Sequence, residues 1–320
     1  MPVGVASSGA GRGIVVVTGC CWLVHPATRI ITAIDRRFIV RFPPAAGPYA
    51  NRRGDGMPLF KLRDGADLYY EQQGSGPPLF LVPGLGGDSR WWGENVAELA
   101  RRFTVVVHDH RGTGRSTLSK ISYSVSQMAD DALQLIEGLG YDKVHWCGHS
   151  TGGAMGQVLA IEHPGRIDRL VLSATWAKTD AFFRRLFDVR SLMLRELGPL
   201  AYLKSSALAL NMPSWVRDHD ADLAAAEAKA QDTIPIPEIV LSRIAAIVAH
   251  DKREQLQKLQ APTLAICARD DTVTPLYFTE ELVRLIPGAR AYVLPDGGHA
   301  YPNVHGGEFR RVMTSFLLES

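Results

Sequence analysis

The chain has 320 residues and a mass of 35.0 kDa, with 46% hydrophobic and 21% charged residues. This balance is typical of a globular protein and excludes a disordered, collagen-like or coiled-coil chain. Lys and Arg number 35 against 33 Asp and Glu, so the formal charge of +2 gives no reason to expect a nucleic-acid partner.

Hydrophobic runs and cysteines narrow the class of protein further. No apolar run reaches the ~20 residues that a membrane-spanning helix needs, so we expect neither an integral membrane protein nor a membrane partner. The 4 cysteines are too few for a disulfide scaffold. We expect all of them to be reduced thiols of a cytoplasmic protein.

The first 56 residues differ in character from the rest. Gly9, Gly11 and Gly13 precede an apolar run at residues 14–17, whereas a dinucleotide-binding fingerprint has its glycines after a strand. The stretch also has some features of a signal peptide, but a convincing cleavage site is missing. We interpret residues 1–56 as a poorly ordered extension or a start codon assigned too far upstream.

From Met57 onward, strand-like and helix-like segments alternate. This order predicts an α/β fold with a mostly parallel, doubly wound sheet covered by helices on both faces. The predicted strands cover residues 68–71, 78–82, 103–107, 143–147, 167–172, 263–268 and 289–294.

One stretch interrupts the alternation. Residues 176–255 are helical in composition and contain no convincing strand, with helical segments at 182–197, 221–230 and 238–250. The sequence therefore predicts a helical insertion at 176–255. The core domain is divided between residues 57–175 and 256–320.

A serine lies where a strand passes into a helix. Residues 148–152 read Gly-His-Ser-Thr-Gly, directly after the predicted strand at 143–147 and before an apolar-periodic helix. This G-x-S-x-G pattern, in this context, is typical of a nucleophilic serine held on a strained turn with its hydroxyl clear of the sheet. Ser150 is therefore the candidate nucleophile.

A serine nucleophile needs a base, and the base needs an orienting acid. His299 follows the last predicted strand, where a loop would rise to the same edge of the sheet as Ser150. Asp270 and Asp271 follow the strand at 263–268. One of these two carboxylates is expected to hold the imidazole, since adjacent side chains leaving a strand point to opposite sides.

Two backbone N–H groups are expected to bind the oxyanion that forms in the reaction. Thr151 directly follows the serine and supplies one of them. Leu85 lies in the Gly-rich loop after the strand at 78–82 and is the expected second donor. A plain Gly-rich loop is the alternative interpretation.

Together these residues resemble the α/β-hydrolase superfamily, over Met57 to the C-terminus. The order Ser, Asp, His matches the family. Residues 109–116 resemble its D-x-R-G-x-G-x-S turn, which implies a structural role there and not a metal site. The family pattern G-x-x-D-x-x-x-P, counted back from Pro275, points to Asp271 rather than Asp270. The insertion resembles the family's helical cap.

Within the superfamily, the chain is most similar to the aminoacrylate or carbamate hydrolases of pyrimidine utilisation, with the 3-oxoadipate enol-lactonases as near neighbours. The matching stretches are residues 84–87, 187–190, 266–271 and 297–300. Ser150 is a departure, because some of these relatives lack a serine there. It favours acyl-enzyme chemistry and weakens the transfer of their substrate.

These observations predict a hydrolase of small esters, lactones, amides or carbamates that uses no cofactor or metal. A C–C bond hydrolase, a cofactor-free perhydrolase and a non-catalytic ligand-binding homologue are the alternatives. Trp176 and Arg190 in the insertion are candidate substrate contacts. Arg190, with Arg184 and Arg185, could anchor a substrate carboxylate, or these arginines could lie on a solvated helix face.

Overall fold

A computed structural model describes residues 58–229, 232, 234 and 236–319 of the chain. The predicted N-terminal extension at 1–56, with Cys20 and Cys21, lies outside the described residues. Cys147 and Cys267 lie in the described part, and both are buried free thiols.

The described residues form an eight-stranded sheet with the order β1-β2-β4-β3-β5-β6-β7-β8. Only the β1–β2 and β2–β4 pairs are antiparallel. The strands are β1 (Leu59–Lys61), β2 (Asp67–Gln73), β3 (Pro78–Val82), β4 (Thr104–His108), β5 (Val144–His149), β6 (Ile167–Ser173), β7 (Thr263–Ala268) and β8 (Arg290–Leu294). The predicted mostly parallel sheet is therefore confirmed.

Helices fill the connections between the strands. The α-helices are α1 (Glu94–Leu99), α2 (Val125–Gly138), α3 (Thr151–Glu162), α4 (Ala181–Leu192), α5 (Gly198–Leu210), α6 (Pro213–Asp218), α7 (Asp220–Glu227), α8 (Pro237–Val248), α9 (Leu276–Leu285), α10 (Tyr301–Val304) and α11 (Gly306–Leu317). Short 3₁₀ helices cover Ser89–Trp92 and Arg253–Lys258, and a π-helical turn covers Met193–Leu197. None of the described helices is long and apolar enough to cross a membrane.

Helices cover both faces of the sheet, and strands β3 to β6 contribute to the cores on both faces because successive residues of a strand point to opposite sides. In β3, Phe80 belongs to a core with residues of α2 and α3, while Leu79 belongs to a second core with residues of α1 and α11. Strand β4 is buried along its whole length. Strands buried on both faces read as continuous apolar runs, which is why these were recognisable in the sequence.

Between β6 and β7 the described residues form helices joined by short loops, and their only β-pairing is one isolated bridge. Lys178 and Asp251 pair there as an antiparallel bridge, and their side chains form an ion pair at 2.6 Å. The backbone N–H of Lys252 also donates to the carbonyl of Ala177, at 2.9 Å. The two ends of this helical insertion are thus joined to each other where it leaves the sheet.

The insertion lies against the loops that follow β7 and β8. The backbone N–H of Ala300 donates to the carbonyl of Leu210 at the end of α5, at 3.0 Å. The hydroxyl of Thr272 donates to the carbonyl of Ala209, also at 3.0 Å. These contacts bring α5 next to the loops that carry Asp271 and His299.

Candidate active site

Ser150 occupies the turn between β5 and α3. Its backbone has φ 53° and ψ −114°, a left-handed conformation that costs a non-glycine residue free energy. The turn is held by the Ser150 N–H, which donates to the carbonyl of Ser173 at 2.8 Å. The side chain lies at the start of α3, where the helix dipole favours negative charge.

Steric contacts explain why the motif has glycine at both of its ends. A Cβ on Gly148 would lie 2.1 Å from the carbonyl oxygen of Gly152. A Cβ on Gly152 would lie 2.2 Å from the carbonyl oxygen of Val82 in β3. A side chain at either position would therefore clash with a backbone oxygen of a neighbouring element. The spacing in the sequence therefore reflects how closely α3 approaches β5 and β3.

His299 and Asp271 form a buried pair. Nδ1 of His299 lies 2.8 Å from Oδ2 of Asp271. The carboxylate also accepts hydrogen bonds from the N–H of Val273 at 2.7 Å and from the N–H and hydroxyl of Thr274 at 2.9 Å. This arrangement orients the imidazole and assigns its proton to Nδ1, which leaves Nε2 able to accept another proton.

Asp270 has a different partner. Its Oδ1 accepts the backbone N–H of Gly298 at 2.9 Å. Asp270 therefore holds the backbone of the loop that presents His299, whereas Asp271 holds the ring itself. The structure thus joins Asp271, and not its neighbour, to the imidazole.

His149, next to the candidate nucleophile, lies beneath His299 with 4.8 Å between the two ring centroids. Its Nδ1 lies 3.0 Å from the hydroxyl of Ser173, which is 2.5 Å from the hydroxyl of Tyr301. Burial, and next the neighbouring His299, hold the pKa of His149 well below its usual value. A neutral His149 places no second positive charge beside an imidazolium at His299.

The two expected oxyanion donors belong to segments next to the serine: Thr151 follows it in the chain, and Leu85 lies in the loop after β3. A Cβ on Gly84, the residue before Leu85, would lie 3.2 Å from Cβ of Ser150, so this loop and the serine are in close contact. In the described part of the chain, neither the Leu85 N–H nor the Thr151 N–H donates a hydrogen bond. Both amides are therefore available to a substrate oxygen.

Buried histidines support the same loop. Nε2 of His110 lies 3.1 Å from the carbonyl oxygen of Pro83, and the His110 N–H donates to the carbonyl of Gly87 at 2.8 Å. Burial lowers the pKa of His108 to about 4, and that of His110 well below its usual value. The carboxylate of Asp109, which lies between these two histidines in the chain, accepts hydrogen bonds from the Ser89 N–H and from Nε of Arg115. Within the described ranges, no group of acidic, His and Cys residues is arranged to hold a metal ion.

Residues 77–301 match the α/β-hydrolase fold family. The chain belongs to this family. Over 254 residues it is 36% identical to a curated Azorhizobium caulinodans protein named "Putative carbamate hydrolase RutD", a match that covers 79% of this chain and 96% of that protein. The family match and the relatives named carbamate hydrolase together show that this chain is a hydrolase.

Solved structures agree with this placement. The enol-lactonase of Burkholderia xenovorans LB400 is 27% identical with a TM-score of 0.75, and the match covers 82% of this chain and all of that one (100%). A hydrolase from Pseudomonas aeruginosa PA01 is also 27% identical, with a TM-score of 0.76 and coverage of 83% and 100%. The expected resemblance to carbamate hydrolases and enol-lactonases is thereby confirmed.

The candidate substrate contacts of the hydrolase have different surroundings. Trp176 is fully buried and packs on Phe183 of α4, with 4.6 Å between ring centroids. Arg190 is buried, and its Nη2 donates to the hydroxyls of Tyr202 and Ser206 at 3.0 and 2.9 Å. Arg184 and Arg185 are exposed. Of the three arginines, only Arg190 points inward.

Sequence reasoning missed one buried charge in the insertion. Arg243 lies on α8 and is only 2% exposed. A sequence signal existed, since Arg243 stands in an otherwise apolar stretch that includes Ile239, Ile244 and Ile247. A charge within the buried stripe of a helix is uncommon and is usually paired.

Proposed function

We propose that the chain is a serine hydrolase that cleaves a small ester, lactone, amide or carbamate through an acyl-enzyme on Ser150. The Asp271–His299 hydrogen bond of 2.8 Å is the observation that carries the proposal. The strained turn at Ser150 and the unpaired N–H groups of Leu85 and Thr151 supply the other parts that acyl transfer requires.

In the acylation step, Oγ of Ser150 attacks the acyl carbon while Nε2 of His299 takes the hydroxyl proton. Asp271 stabilises the imidazolium that results, without itself becoming protonated. The new oxyanion accepts hydrogen bonds from the Leu85 and Thr151 N–H groups. When the tetrahedral intermediate collapses, His299 gives its proton to the leaving alcohol or amine, and the acyl group remains on Ser150.

In the deacylation step, water takes the place of the leaving group. His299 removes a proton from the water, whose oxygen attacks the acyl carbon. The second tetrahedral intermediate expels Oγ of Ser150, which recovers its proton from His299, and the carboxylic or carbamic acid leaves. This cycle needs only the side chains and amides named above.

Supporting evidence for the substrate class comes from the relatives, whose names include carbamate hydrolase and enol-lactonase. A candidate nucleophile that is only 7% exposed fits a small-molecule substrate. We propose that the insertion is a cap over the site, that the reaction is catabolic and that the partner is a small-molecule substrate. The buried free thiols of Cys147 and Cys267 support a cytoplasmic location.

The proposal is tested by labelling the folded protein with a fluorophosphonate and locating the adduct by mass spectrometry. We expect a single adduct on Ser150 that is absent from Ser150→Ala. Turnover of 4-nitrophenyl acetate should fall in this variant by a factor on the order of 10⁶, because losing a triad nucleophile removes covalent catalysis. A panel of lactones and ureido acids then ranks the bond types.

His163→Gln is the matched control for His299→Gln, because the His163 side chain is exposed at the C-terminal end of α3, opposite the end that carries Ser150. The control should label and turn over as the unchanged chain does, while His299→Gln should lose both properties. Undiminished ester turnover by Ser150→Ala would refute the acyl-enzyme mechanism.

A further inference from the structure

Arg243 of α8 is a buried cation with an unsatisfied edge. Its Nη1 donates to the hydroxyl of Thr113. Its Nε and Nη2 have no hydrogen-bond partner among the described residues. Burial lowers the pKa of Arg243 to about 10, so the guanidinium is still charged at neutral pH. A buried charge without a counter-ion is costly, which calls for an explanation.

A second buried arginine in the same chain shows what this edge normally binds. Nε and Nη2 of Arg111 donate to the two carboxylate oxygens of Asp131, at 2.9 and 2.7 Å. These two nitrogens form one side of the planar guanidinium and match a carboxylate in a bidentate fashion. The corresponding side of Arg243 is the one left without a partner.

The unsatisfied edge and the candidate catalytic serine lie against opposite ends of one short turn. A Cβ on Gly87 would be 2.5 Å from Nη2 of Arg243, and one on Gly84 would be 3.2 Å from Cβ of Ser150. The N–H of Gly87 donates to the carbonyl of Gly84 at 3.0 Å, which closes a turn. The ends of such a turn are within about 7 Å of each other, so one small substrate can reach both side chains.

Arg243 shares a neighbouring tyrosine with a second buried arginine. Against the larger effect of burial, Tyr123 and Tyr202 raise the pKa of Arg243. The Tyr202 phenol also accepts a hydrogen bond of 3.0 Å from the buried Arg190. In the described part of the chain, neither arginine forms an ion pair with an acidic side chain, unlike Arg111. Both arginines therefore keep guanidinium nitrogens that have no hydrogen-bond partner among the described residues.

A purely structural role explains the charge poorly. The bond to Thr113 ties α8 to the core, but a neutral amide could make the same bond without burying a cation. We infer that Arg243, supported by Arg190 and Tyr202, binds a carboxylate of the substrate, so that the hydrolysed molecule is an ester, lactone or amide of a small dicarboxylic acid. This inference rests on the proposed hydrolysis at Ser150.

The test compares two activated esters of equal chain length, mono(4-nitrophenyl) glutarate and 4-nitrophenyl pentanoate. We expect Arg243→Met to lower kcat/KM for the glutarate ester by about 10- to 100-fold, the value of a lost bidentate bond to a charge. The kcat/KM for the pentanoate ester should change by less than about threefold, because this ester has no second carboxylate for Arg243 to bind. Arg243→Lys should be intermediate, since an ammonium is a point charge without the fork.

Arg195→Met is the matched control, because Arg195 is an exposed arginine of the same insertion. It should leave the ratio of the two kcat/KM values unchanged. The melting temperature of Arg243→Met should equal or exceed that of the unchanged chain, since an unpaired buried charge is removed. If Arg243→Met does not fold, the Arg243→Lys ratio decides.

Calorimetry with glutarate on Ser150→Ala separates this inference from the proposed hydrolysis. Glutarate binding that is lost on adding Arg243→Met or Arg243→Lys supports the anion site, even if no ester is turned over. Turnover of both esters with a ratio that neither Arg243 variant changes would overturn the anion site and leave the hydrolase proposal standing. Absence of glutarate binding would also overturn it.

Discussion

Asp270 and Asp271 are adjacent in the chain, yet they hold different parts of the loop that carries His299. Asp271 accepts a hydrogen bond of 2.8 Å from Nδ1 of His299, and Asp270 accepts one of 2.9 Å from the backbone N–H of Gly298. The first bond needs an acceptor that cannot donate, because a donor would force the proton onto Nε2. The second bond needs only an oxygen.

This difference predicts unequal effects of the same substitution. Asp271→Asn should lower kcat by up to about 10⁴-fold, because its amide can donate to Nδ1 and select the wrong tautomer. Asp270→Asn should cost far less, since an amide oxygen still accepts the Gly298 N–H. The measurement is kcat for both variants with one activated ester. A loss confined to Asp270→Asn would show that the assignment is off by one residue.

Ser150, His299 and Asp271 could be selected from the sequence because each lies at a fixed distance from a strand end or a proline. Arg243 could not, since its role depends on which side of α8 faces Gly87, and these residues are distant in the chain. Arg190 was a candidate, but nothing local separated it from the exposed Arg184 and Arg185. Contacts between elements were the missing information.

The close packing of β5, α3 and β3 depends on glycines at two points. Gly152 sits where α3 begins, and its α-carbon faces the backbone of Val82 with no room for a methyl group. This proximity brings the start of α3 and the loop after β3 close to Ser150. Steric fit between elements thus positions the segments that carry the two proposed oxyanion donors, Thr151 and Leu85.

Gly152→Ala should therefore abolish folding or destabilise the chain by more than about 4 kcal/mol, the range of severe packing defects. The clash at 2.2 Å is with a backbone oxygen, which cannot move aside as a side chain would. The measurement is the free energy of unfolding in urea.

Gly307→Ala in α11 is the matched substitution, since a Cβ there meets nothing within 4 Å. It should stabilise the chain by about 0.5–1 kcal/mol, because alanine is the better helix former. Similar stabilities for the two variants would contradict the steric account of the motif.

Most strands were predicted to within two residues at each end, because buried parallel strands have a clear apolar pattern. Helix α5 (Gly198–Leu210) was missed within the insertion. Its Gly198-Pro199 start resembles a turn, although proline is well tolerated in the first turn of a helix. Strand β1 was also missed, since three partly exposed residues carry no pattern of their own.

In the described part of the chain, four buried histidines have a strongly lowered pKa and so resist protonation. Burial lowers the pKa of His108 and His250 to about 4. Burial also holds the pKa of His110 and His149 well below the usual value. The unfolded chain binds protons at these positions near pH 6.5, so the native state binds fewer protons than the unfolded state just below that pH.

Stability should therefore be nearly independent of pH between about 6.5 and 8 and fall as the pH drops from about 6.5 to 4. At pH 5, each histidine with a folded pKa near 4 lowers the free energy of unfolding by about 2 kcal/mol. The sum over several such histidines is comparable to the net stability of a domain. We expect cooperative acid unfolding in this window. Denaturant unfolding at pH 7.5 and 5.0 measures the loss.

His250→Leu isolates one of these histidines. It should reduce the difference in unfolding free energy between pH 7.5 and 5.0 by about 2 kcal/mol. His163→Leu is the control, because the His163 side chain is exposed in the folded chain, and it should leave the difference unchanged. Equal pH dependence in the two variants would refute the assignment to buried histidines.

The bridge between Lys178 and Asp251 has an evolutionary consequence. Because the helical insertion leaves and re-enters the sheet at one point, its length and sequence can change without altering the distance that the core must span. The entropy of closing such a loop grows only slowly with its length. The segment can therefore be exchanged while the loops bearing Ser150, Asp271 and His299 keep their positions, and under the proposed cap role such an exchange changes specificity without rebuilding the proposed triad.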